Sequence, residues 1–385
     1  MVEAVKQLWE IGTSLPRNNP YIKEWKAQGK KIVGWICTHS PEEVIYAAGM
    51  LPYRVVGDPE EEIVGAESFL FANTCFLVRS IVQLGLNKDY EMLDGMLFVN
   101  TCDHMRRLFD VWRHYLPTPP YHILPVPHKI SETSFEFFEG EIDKLKRKME
   151  EISGVEITET SLKNAIAVYN KSRGLLRQLY EFRKQNSPPV SAAEVINIVR
   201  AAMKMPKDIF NSLLEDALKE IGQRKPSPDK KIRLMVVGSY LDNPQFMQAI
   251  EDLGASIVVD QICMGTRYFW DSVDPSLAPI PAIARRYLRR TPCARIRPVA
   301  MRLKHIMDLI KEFSVDGVIY EVIKYCDLYG YDKPVFRREL EEAGIPVVEL
   351  DLEYGGGRLN IGQIRTRIQA FIEMIERKKL TEVAA

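Results

Sequence analysis

Short apolar runs alternate with amphipathic segments through the first third of the chain. The run at 96–99 predicts a buried strand of the parallel kind, because apolar residues occupy both of its faces. Similar runs predict strands at 31–36, 51–56 and 121–126, and the segments between them have the apolar spacing of helices. This β-α-β alternation predicts a parallel sheet, whose ligand-binding edge lies at the carboxyl ends of its strands.

The pattern changes after residue 130. Residues 131–225 have the spacing of long, highly charged helices, which predicts a helical connector. A second series of strands and helices begins near residue 234, and a final helix is predicted at 360–377. We therefore predict an α/β protein with two parallel-sheet domains, in three parts: residues 1–130 with an N-terminal helical arm, the connector 131–228, and residues 229–385.

The overall charge and the lack of long apolar runs argue against a nucleic-acid partner and a membrane partner. The chain has 385 residues, and its 52 Lys and Arg residues equal its 52 Asp and Glu residues, so the formal net charge at pH 7 is zero. A nucleic-acid partner would favour a basic excess, so none is expected. The N-terminus lacks the pattern of a signal peptide, and no uninterrupted apolar run could span a bilayer. We expect a cytoplasmic protein with no membrane partner.

Six cysteines are the main candidates for chemistry. Structural disulfides are not expected in a reducing compartment, and no CxxC pair is present, which argues against a zinc ribbon or a ferredoxin-type ligand run. Cys75 and Cys102 follow strand or loop segments of the first half, and Cys326 follows an apolar strand of the second. If the two carboxyl edges face each other, these three thiolates converge, which suits an iron–sulfur cluster with one iron left open. The alternative is three small residues buried at tight turns.

Five stretches of the chain resemble the 2-hydroxyacyl-CoA dehydratase and benzoyl-CoA reductase family, in order and over nearly the whole length. They are GWICTHSPEEVIYAAGMLP at 34–52, CFLVRS at 75–80, TCDH at 101–104, KYCD at 324–327 and QIRTRIQAFIE at 363–373. The resemblance implies two Rossmann-like α/β domains with a [4Fe–4S] cluster between them. The residues that match the cluster ligands are Cys75, Cys102 and Cys326.

Two further stretches concern the branch of the family. DQICMGTRYF at 260–269 and YLRRTPC at 287–293 look like the benzoyl-CoA reductase branch and are also similar to double-cubane cluster proteins. In those proteins, further cysteines of one chain hold a second cubane joined to the first. The resemblance implies this role for Cys263 and Cys293, with Cys37 as a third ligand. The alternative for each is a cysteine buried in a loop.

Polar residues that follow the first strand are candidates for substrate contact. His39, Ser40 and Glu43 are predicted as catalytic residues, and His39 and Ser40 are suited to hydrogen-bond a thioester carbonyl. Helix capping is the alternative explanation for Ser40. The arginines at 285, 286, 289 and 290 form a basic run, which predicts a solvated helix face or, alternatively, a contact with CoA phosphates.

The leading functional hypothesis is the iron–sulfur catalytic subunit of a benzoyl-CoA reductase-type enzyme that acts on an aryl-CoA thioester. The resemblance implies a separate ATP-hydrolysing iron–sulfur activator as electron donor, and this chain itself has no GxxxxGK[ST] phosphate-binding loop. A homologous large subunit is also expected, in a heterodimer or a homodimer. Three alternatives remain: a 2-hydroxyacyl-CoA dehydratase subunit, a double-cubane reductase of small molecules, and a non-catalytic scaffold subunit.

Overall fold

The computed structural model describes residues 3–116, 120–225, 232–290, 292–355, 358–359 and 361–384. These residues form two four-stranded parallel sheets, with helices at the N-terminus and a helical region between the sheets, so the predicted fold class is confirmed. The predicted boundary between residues 228 and 229 lies outside the described residues. No helix in the described ranges is long and apolar enough to cross a lipid bilayer.

The first half begins with an arm of two helices, α1 (Glu3–Thr13) and α2 (Pro20–Ala27). The first sheet contains β1 (Ile32–Trp35), β2 (Leu51–Arg54), β3 (Gly95–Asn100) and β4 (Tyr121–Pro125), with the connecting helices α3 (Glu42–Ala47), α4 (Phe76–Leu86) and α5 (Asp103–Tyr115). All neighbouring strands are parallel, in the order β2-β1-β3-β4. The two strands β1 and β2 are buried throughout, as expected for a parallel sheet covered on both faces.

The middle of the chain is helical, as predicted. It contains α6 (Glu132–Ser153), α7 (Glu159–Glu181), α8 (Ala192–Ala202) and α9 (Lys207–Gly222). The first three helices begin at a hydroxyl residue whose side chain accepts a hydrogen bond from an amide of the first turn: Ser131, Thr158 and Ser191. The helices of this region bury apolar stripes against both halves, which explains why they are ordered here despite their charge.

The second half repeats the order of the first sheet. Its strands are β5 (Ile232–Gly238), β6 (Ala255–Gln261), β7 (Gly317–Ile323) and β8 (Val347–Leu352), all parallel, in the order β6-β5-β7-β8. Its helices are α10 (Pro244–Glu251), α11 (Thr266–Phe269), α12 (Pro279–Arg289), α13 (Val299–Glu312), α14 (Asp327–Glu342) and α15 (Ile361–Ala384), and a short hairpin pairs β9 (Tyr354–Gly355) with β10 (Arg358–Leu359).

Each sheet therefore has the same reversal of strand order. The reversal lies between β1 and β3 in the first sheet and between β5 and β7 in the second. In open α/β sheets, ligands bind at the carboxyl ends of the strands beside such a reversal. The fold thus provides two potential binding edges, one in each half.

The N-terminal arm is held by close packing of α1 on α8. Gly12 of α1 approaches the main chain of Asn197 so closely that a Cβ atom at this position would lie 2.2 Å from the Asn197 carbonyl oxygen. Buried apolar residues of α1, among them Val5 and Leu8, fill the rest of the contact. This contact needs a glycine because a main chain, unlike a flexible side chain, cannot move aside.

We predict that Gly12→Ala lowers the free energy of unfolding by about 1–3 kcal/mol, since the helices must separate to admit the methyl group. Gly140→Ala in α6 is the matched control, because no atom lies within 4 Å of its added Cβ. That variant should be neutral or more stable by about 0.5–1 kcal/mol. Chemical denaturation measures both values, and equal stability of the two variants would contradict the prediction.

Candidate metal centre

One cavity between the two halves is lined by every cysteine of the chain, namely Cys37, Cys75, Cys102, Cys263, Cys293 and Cys326. The cavity has a volume of about 360 Å³, and all six cysteines are free thiols. The structure thus brings together all five cysteines predicted as metal ligands, and it places Cys37, for which burial in a loop was the favoured interpretation, in the same cavity.

Four of the cysteines lie just beyond the carboxyl ends of strands. Cys37 follows β1 and Cys102 follows β3, which are the two strands that flank the reversal in the first sheet. Cys263 follows β6, and Cys326 follows β7 in the second sheet. The two binding edges therefore face the same cavity, which is the condition under which the thiols of the two halves were expected to converge.

The other two cysteines come from the long connections between strands. Cys75 is the residue immediately before α4, in the connection from β2 to β3. Cys293 lies between α12 and α13, in the connection from β6 to β7. The equivalent connection of each half thus supplies one thiol.

Position and electrostatic coupling divide the thiols into two groups. We call Cys75, Cys102 and Cys326 the outer thiols, because exposed residues follow Cys102 and Cys326 in the chain and Cys75 is coupled to both. Cys37, Cys263 and Cys293 are the inner thiols, and their neighbours in the chain are buried.

The outer thiols hold their protons in the absence of a cation. Burial raises the pKa of Cys75 to about 11, and burial together with the Cys75 thiol raises the pKa of Cys102 to about 12. The pKa of Cys326 lies well above its usual value, first because of burial and then because Cys75 and Cys102 are close. A bound metal would replace these protons, since the thiolate is the ligand form of cysteine.

The inner thiols are coupled in the same way. Burial raises the pKa of Cys37, and the nearby thiols of Cys263 and Cys293 raise it further. Cys293 also raises the pKa of the outer residues Cys102 and Cys326. The two groups are therefore neighbours within one site.

Four buried arginines surround the inner thiols. Arg54, Arg267, Arg290 and Arg295 are between 1% and 5% exposed, and none forms an ion pair with a carboxylate within the described part of the chain. In each of the four, at least one guanidinium nitrogen has no hydrogen-bond partner among the described residues. Burial of an unpaired charge is costly, so this side of the cavity is built for an anionic occupant.

The arginines are fixed by the ends of both sheets. Arg267 donates from Nη1 to the Gly238 carbonyl (2.8 Å) and from Nη2 to the Cys263 Sγ (3.1 Å). Arg290 donates to the Thr38 hydroxyl (2.7 Å), and Arg295 donates to the Val126 carbonyl (2.8 Å). The bonds of Arg290 and Arg295 connect the two halves, and the bonds of Arg267 lie within the second half.

Glu321, a buried carboxyl group near Arg267, does not offset this charge at neutral pH. Burial raises the pKa of Glu321 to about 8, although the Ser239 hydroxyl, which donates to it over 3.1 Å, and Arg267 act in the opposite direction. Its second oxygen has no partner among the described residues. Glu321 is therefore largely neutral at pH 7, and the positive charge of the arginines remains available to a ligand.

The residues fit an iron–sulfur cluster. Among the described residues, no three His, Cys, Asp or Glu side chains are arranged to hold a single metal ion. A cluster instead places each thiolate on a separate iron and carries negative charge from sulfide and thiolate together. Six thiols and four uncompensated guanidinium groups match that donor set and that charge.

The predicted catalytic residues lie behind the cavity wall. The Nδ1 atom of His39 is 3.1 Å from the Tyr287 carbonyl oxygen, and its Nε2 atom and the Ser40 hydroxyl are buried without partners in the described structure. Glu43 pairs with Arg173 and accepts a hydrogen bond from the Tyr287 hydroxyl (2.8 Å). Burial alone would raise the pKa of Glu43, but the Arg173 charge lowers it below its usual value. None of the three predicted residues lines the cavity, and their catalytic role stays a prediction.

The basic run on α12 is only partly solvated. Arg285 and Arg289 lie beside Glu132 near the surface, as predicted. Arg286 and Arg290 are buried, so the prediction of a solvated face is wrong for these two. They donate to the main-chain carbonyls of Tyr268 and Arg267, because tertiary packing encloses their side of the helix.

Sequence reasoning missed Arg54, Arg267 and Arg295. The available signal was a charged residue within an apolar stretch, as at Arg54 in β2 and Arg267 in the stretch 260–269. A charge in such a position is expensive unless a ligand or counter-ion offsets it.

Comparison with known proteins gives a family match and several full-length relatives. Residues 37–375, which contain all six cysteines, match the family model described as 2-hydroxyglutaryl-CoA dehydratase, D-component. The chain is 27% identical to the (R)-phenyllactyl-CoA dehydratase beta subunit of Clostridium sporogenes over 92% of this chain and 94% of the relative. It is 24% identical to one of the benzoyl-CoA reductase subunits of Thauera aromatica, over 92% and 94% of the two chains.

A third relative extends the range of named reactions. The chain is 25% identical to the beta subunit of (R)-2-hydroxyglutaryl-CoA dehydratase of Acidaminococcus fermentans, over 92% of this chain and 95% of the relative. The relatives are subunits of multi-subunit enzymes, and their names cover both dehydratases and a reductase. Together with the family match over residues 37–375, these similarities establish that the chain belongs to the 2-hydroxyacyl-CoA dehydratase and benzoyl-CoA reductase subunit family.

Proposed function

We propose that this chain is the iron–sulfur subunit of an ATP-dependent reductase and that its six cysteines hold a double-cubane cluster. The observation that carries the proposal is the convergence of all six thiols on one cavity. Members of the family generally carry [4Fe–4S] clusters, and the outer thiols alone provide the three ligands of one such cluster. The inner thiols provide three more ligands in the same cavity, enough for a second cubane joined to the first.

The chain supplies the surroundings that such chemistry needs. When bound, a cluster of this kind provides single electrons of low potential. The buried arginines would balance its charge, and apolar side chains of the lining, such as Ile36, Leu77 and Ile323, would keep water from it. Water and protons would otherwise consume the electrons.

A small molecule is the substrate class that fits this cavity best. At about 360 Å³ the cavity lies near the lower end of the range for ligand sites, roughly 300–1,000 Å³. Six ligands around its wall would let a cluster fill most of that volume. Little space remains beside it for the acyl group of a CoA thioester.

A CoA thioester is the second candidate substrate, in a benzoyl-CoA reductase-type or a dehydratase-type reaction. The relatives whose names specify such substrates favour it. His39 Nε2 and Ser40 Oγ, both buried without partners in the described structure, are the groups we propose for hydrogen bonds to the thioester carbonyl, which would require the wall between them and the cavity to open. Glu43 would then act by fixing the main chain that carries them.

We further propose two protein partners. A homologous large subunit, as a second copy or a different chain, would complete the enzyme, since the relatives are subunits. A separate ATP-hydrolysing iron–sulfur activator would deliver the electrons, because this chain lacks a GxxxxGK[ST] loop.

The cluster assignment predicts the iron content. Anaerobically purified protein should contain about eight irons per chain, one for each metal position of two cubanes. Cys102→Ser should remove iron at the outer thiols, and Cys293→Ser should remove iron at the inner thiols. Met105→Leu is the control, because its thioether lines the cavity but is not a proposed ligand. Iron analysis with circular dichroism tests this, and wild-type iron content in both cysteine variants would refute the assignment.

Electron delivery should depend on a second protein. The purified chain with ATP and a chemical reductant should show no ATP-dependent substrate reduction, because it has no phosphate-binding loop to couple hydrolysis to electron transfer. Addition of an ATP-hydrolysing iron–sulfur activator should start the reaction. ATP-dependent reduction by the chain alone, measured as ADP release coupled to product formation, would be the contrary result.

A substrate panel should separate the candidate reactions. The activated enzyme should reduce small molecules that lack CoA, with aryl-CoA and 2-hydroxyacyl-CoA thioesters as the comparison set. Net electron consumption distinguishes a reductase from a dehydratase, because a dehydratase recovers its electron after water is eliminated. Turnover of a 2-hydroxyacyl-CoA without net reductant consumption would favour the dehydratase and contradict the proposed reductase.

A further inference from the structure

Arg54 is the least compensated charge in the cavity wall. It is the last residue of β2, is 2% exposed, and has no partner for Nε or Nη1 among the described residues. Its guanidinium group lies 4.5 Å from the ring centroid of Trp35, which supports the cation but does not neutralise it. A charge held in this way needs an anion in the cavity.

The register of the first sheet places Arg54 beside the inner thiols. Arg54 pairs with Trp35 across β2 and β1, and Cys37 follows Trp35 by two residues. In keeping with this position, the charge of Arg54 opposes the rise that burial causes in the pKa of Cys37. Arg267, which donates to Cys263 Sγ, adds a second positive charge on the same side.

The outer thiols have a different electrostatic environment. Exposed carboxylates follow two of them directly in the chain, Asp103 after Cys102 and Asp327 after Cys326. Arg79, which lies near Cys75, is paired with Glu67 at 3.4 Å. Arg54, Arg267 and Arg290 act on inner thiols in a region of low dielectric constant, and Arg295 acts on both the inner Cys37 and the outer Cys102.

We propose that Arg54 makes the two ends of the metal centre unequal, so that the end at the inner thiols is reduced at a higher potential than the end at the outer thiols. This inference rests on the proposed double-cubane centre. An electron that arrives at the outer end is then drawn to the inner end. One electron moves between the two ends, and no bond is made or broken in the transfer.

The direction of transfer follows from Coulomb's law. Each added electron makes the centre more negative, and an unpaired buried cation stabilises the more negative state most where it is closest. The inner end therefore retains the electron more strongly than the outer end.

The test is a redox titration of anaerobically purified protein, followed by electron paramagnetic resonance. The wild type should show two midpoint potentials. Arg54→Met should raise the oxidised-to-reduced ratio of the higher-potential end at least tenfold at a fixed applied potential. This corresponds to a fall in its midpoint potential of about 59 mV or more for a one-electron couple. The lower potential should move by less than half of that shift.

Two further variants control for charge and position. Arg54→Lys keeps the charge and should retain most of the wild-type separation of the potentials. Arg106→Met removes an exposed arginine that also lines the cavity, and solvent screening should leave both potentials nearly unchanged. If Arg54→Met loses iron, selective alkylation of only the inner cysteines would support the proposal, because it shows that the anion there depends on this charge.

Several results would overturn the inference. They are a single midpoint potential in wild-type protein that holds about eight irons, an equal shift of both potentials in Arg54→Met, and loss of iron from both thiol groups in that variant with its helical circular dichroism intact. A wild-type iron content of about four or fewer would instead refute the double-cubane proposal itself, and this inference with it. The iron content therefore separates the two failures.

Discussion

Four guanidinium groups buried without a counter-charge are the constraint around which the cavity is organised. A protein interior tolerates such charges only if an anion compensates them, and within the described chain no carboxylate does so. Glu321, whose pKa is raised to about 8 chiefly by burial, is largely neutral at pH 7. The stability of this region is thus coupled to an occupant of the cavity, and the six thiols define its chemistry.

Neither half of the chain supplies all three cysteines of the outer thiols or of the inner thiols. Two of the outer thiols come from the first half and one from the second. One of the inner thiols comes from the first half and two from the second. Ligand geometry therefore depends on how the halves dock. The contacts that fix the docking are largely polar and buried, such as Arg290 to Thr38 and Arg295 to the Val126 carbonyl, so the arginines that balance charge also hold the halves in register.

The shared frame of the family does not by itself choose the reaction. Relatives named as dehydratase subunits and as a reductase subunit align over nearly the same length of this chain. In this chain the cavity is lined by six thiols, and buried arginines lie beside the inner ones.

The sequence alone determined the two parallel sheets, the helical middle and the position of Cys102 and Cys326 after buried strands, because strand and helix periodicity are local properties. The family motifs also pointed to Cys263 and Cys293 before any geometry was known. Only the tertiary structure showed that Cys37 shares their cavity and that Arg54 faces it unpaired. Both facts depend on which distant segments meet at the facing sheet edges, and burial of a charge is decided by that packing and not by its neighbours in the chain.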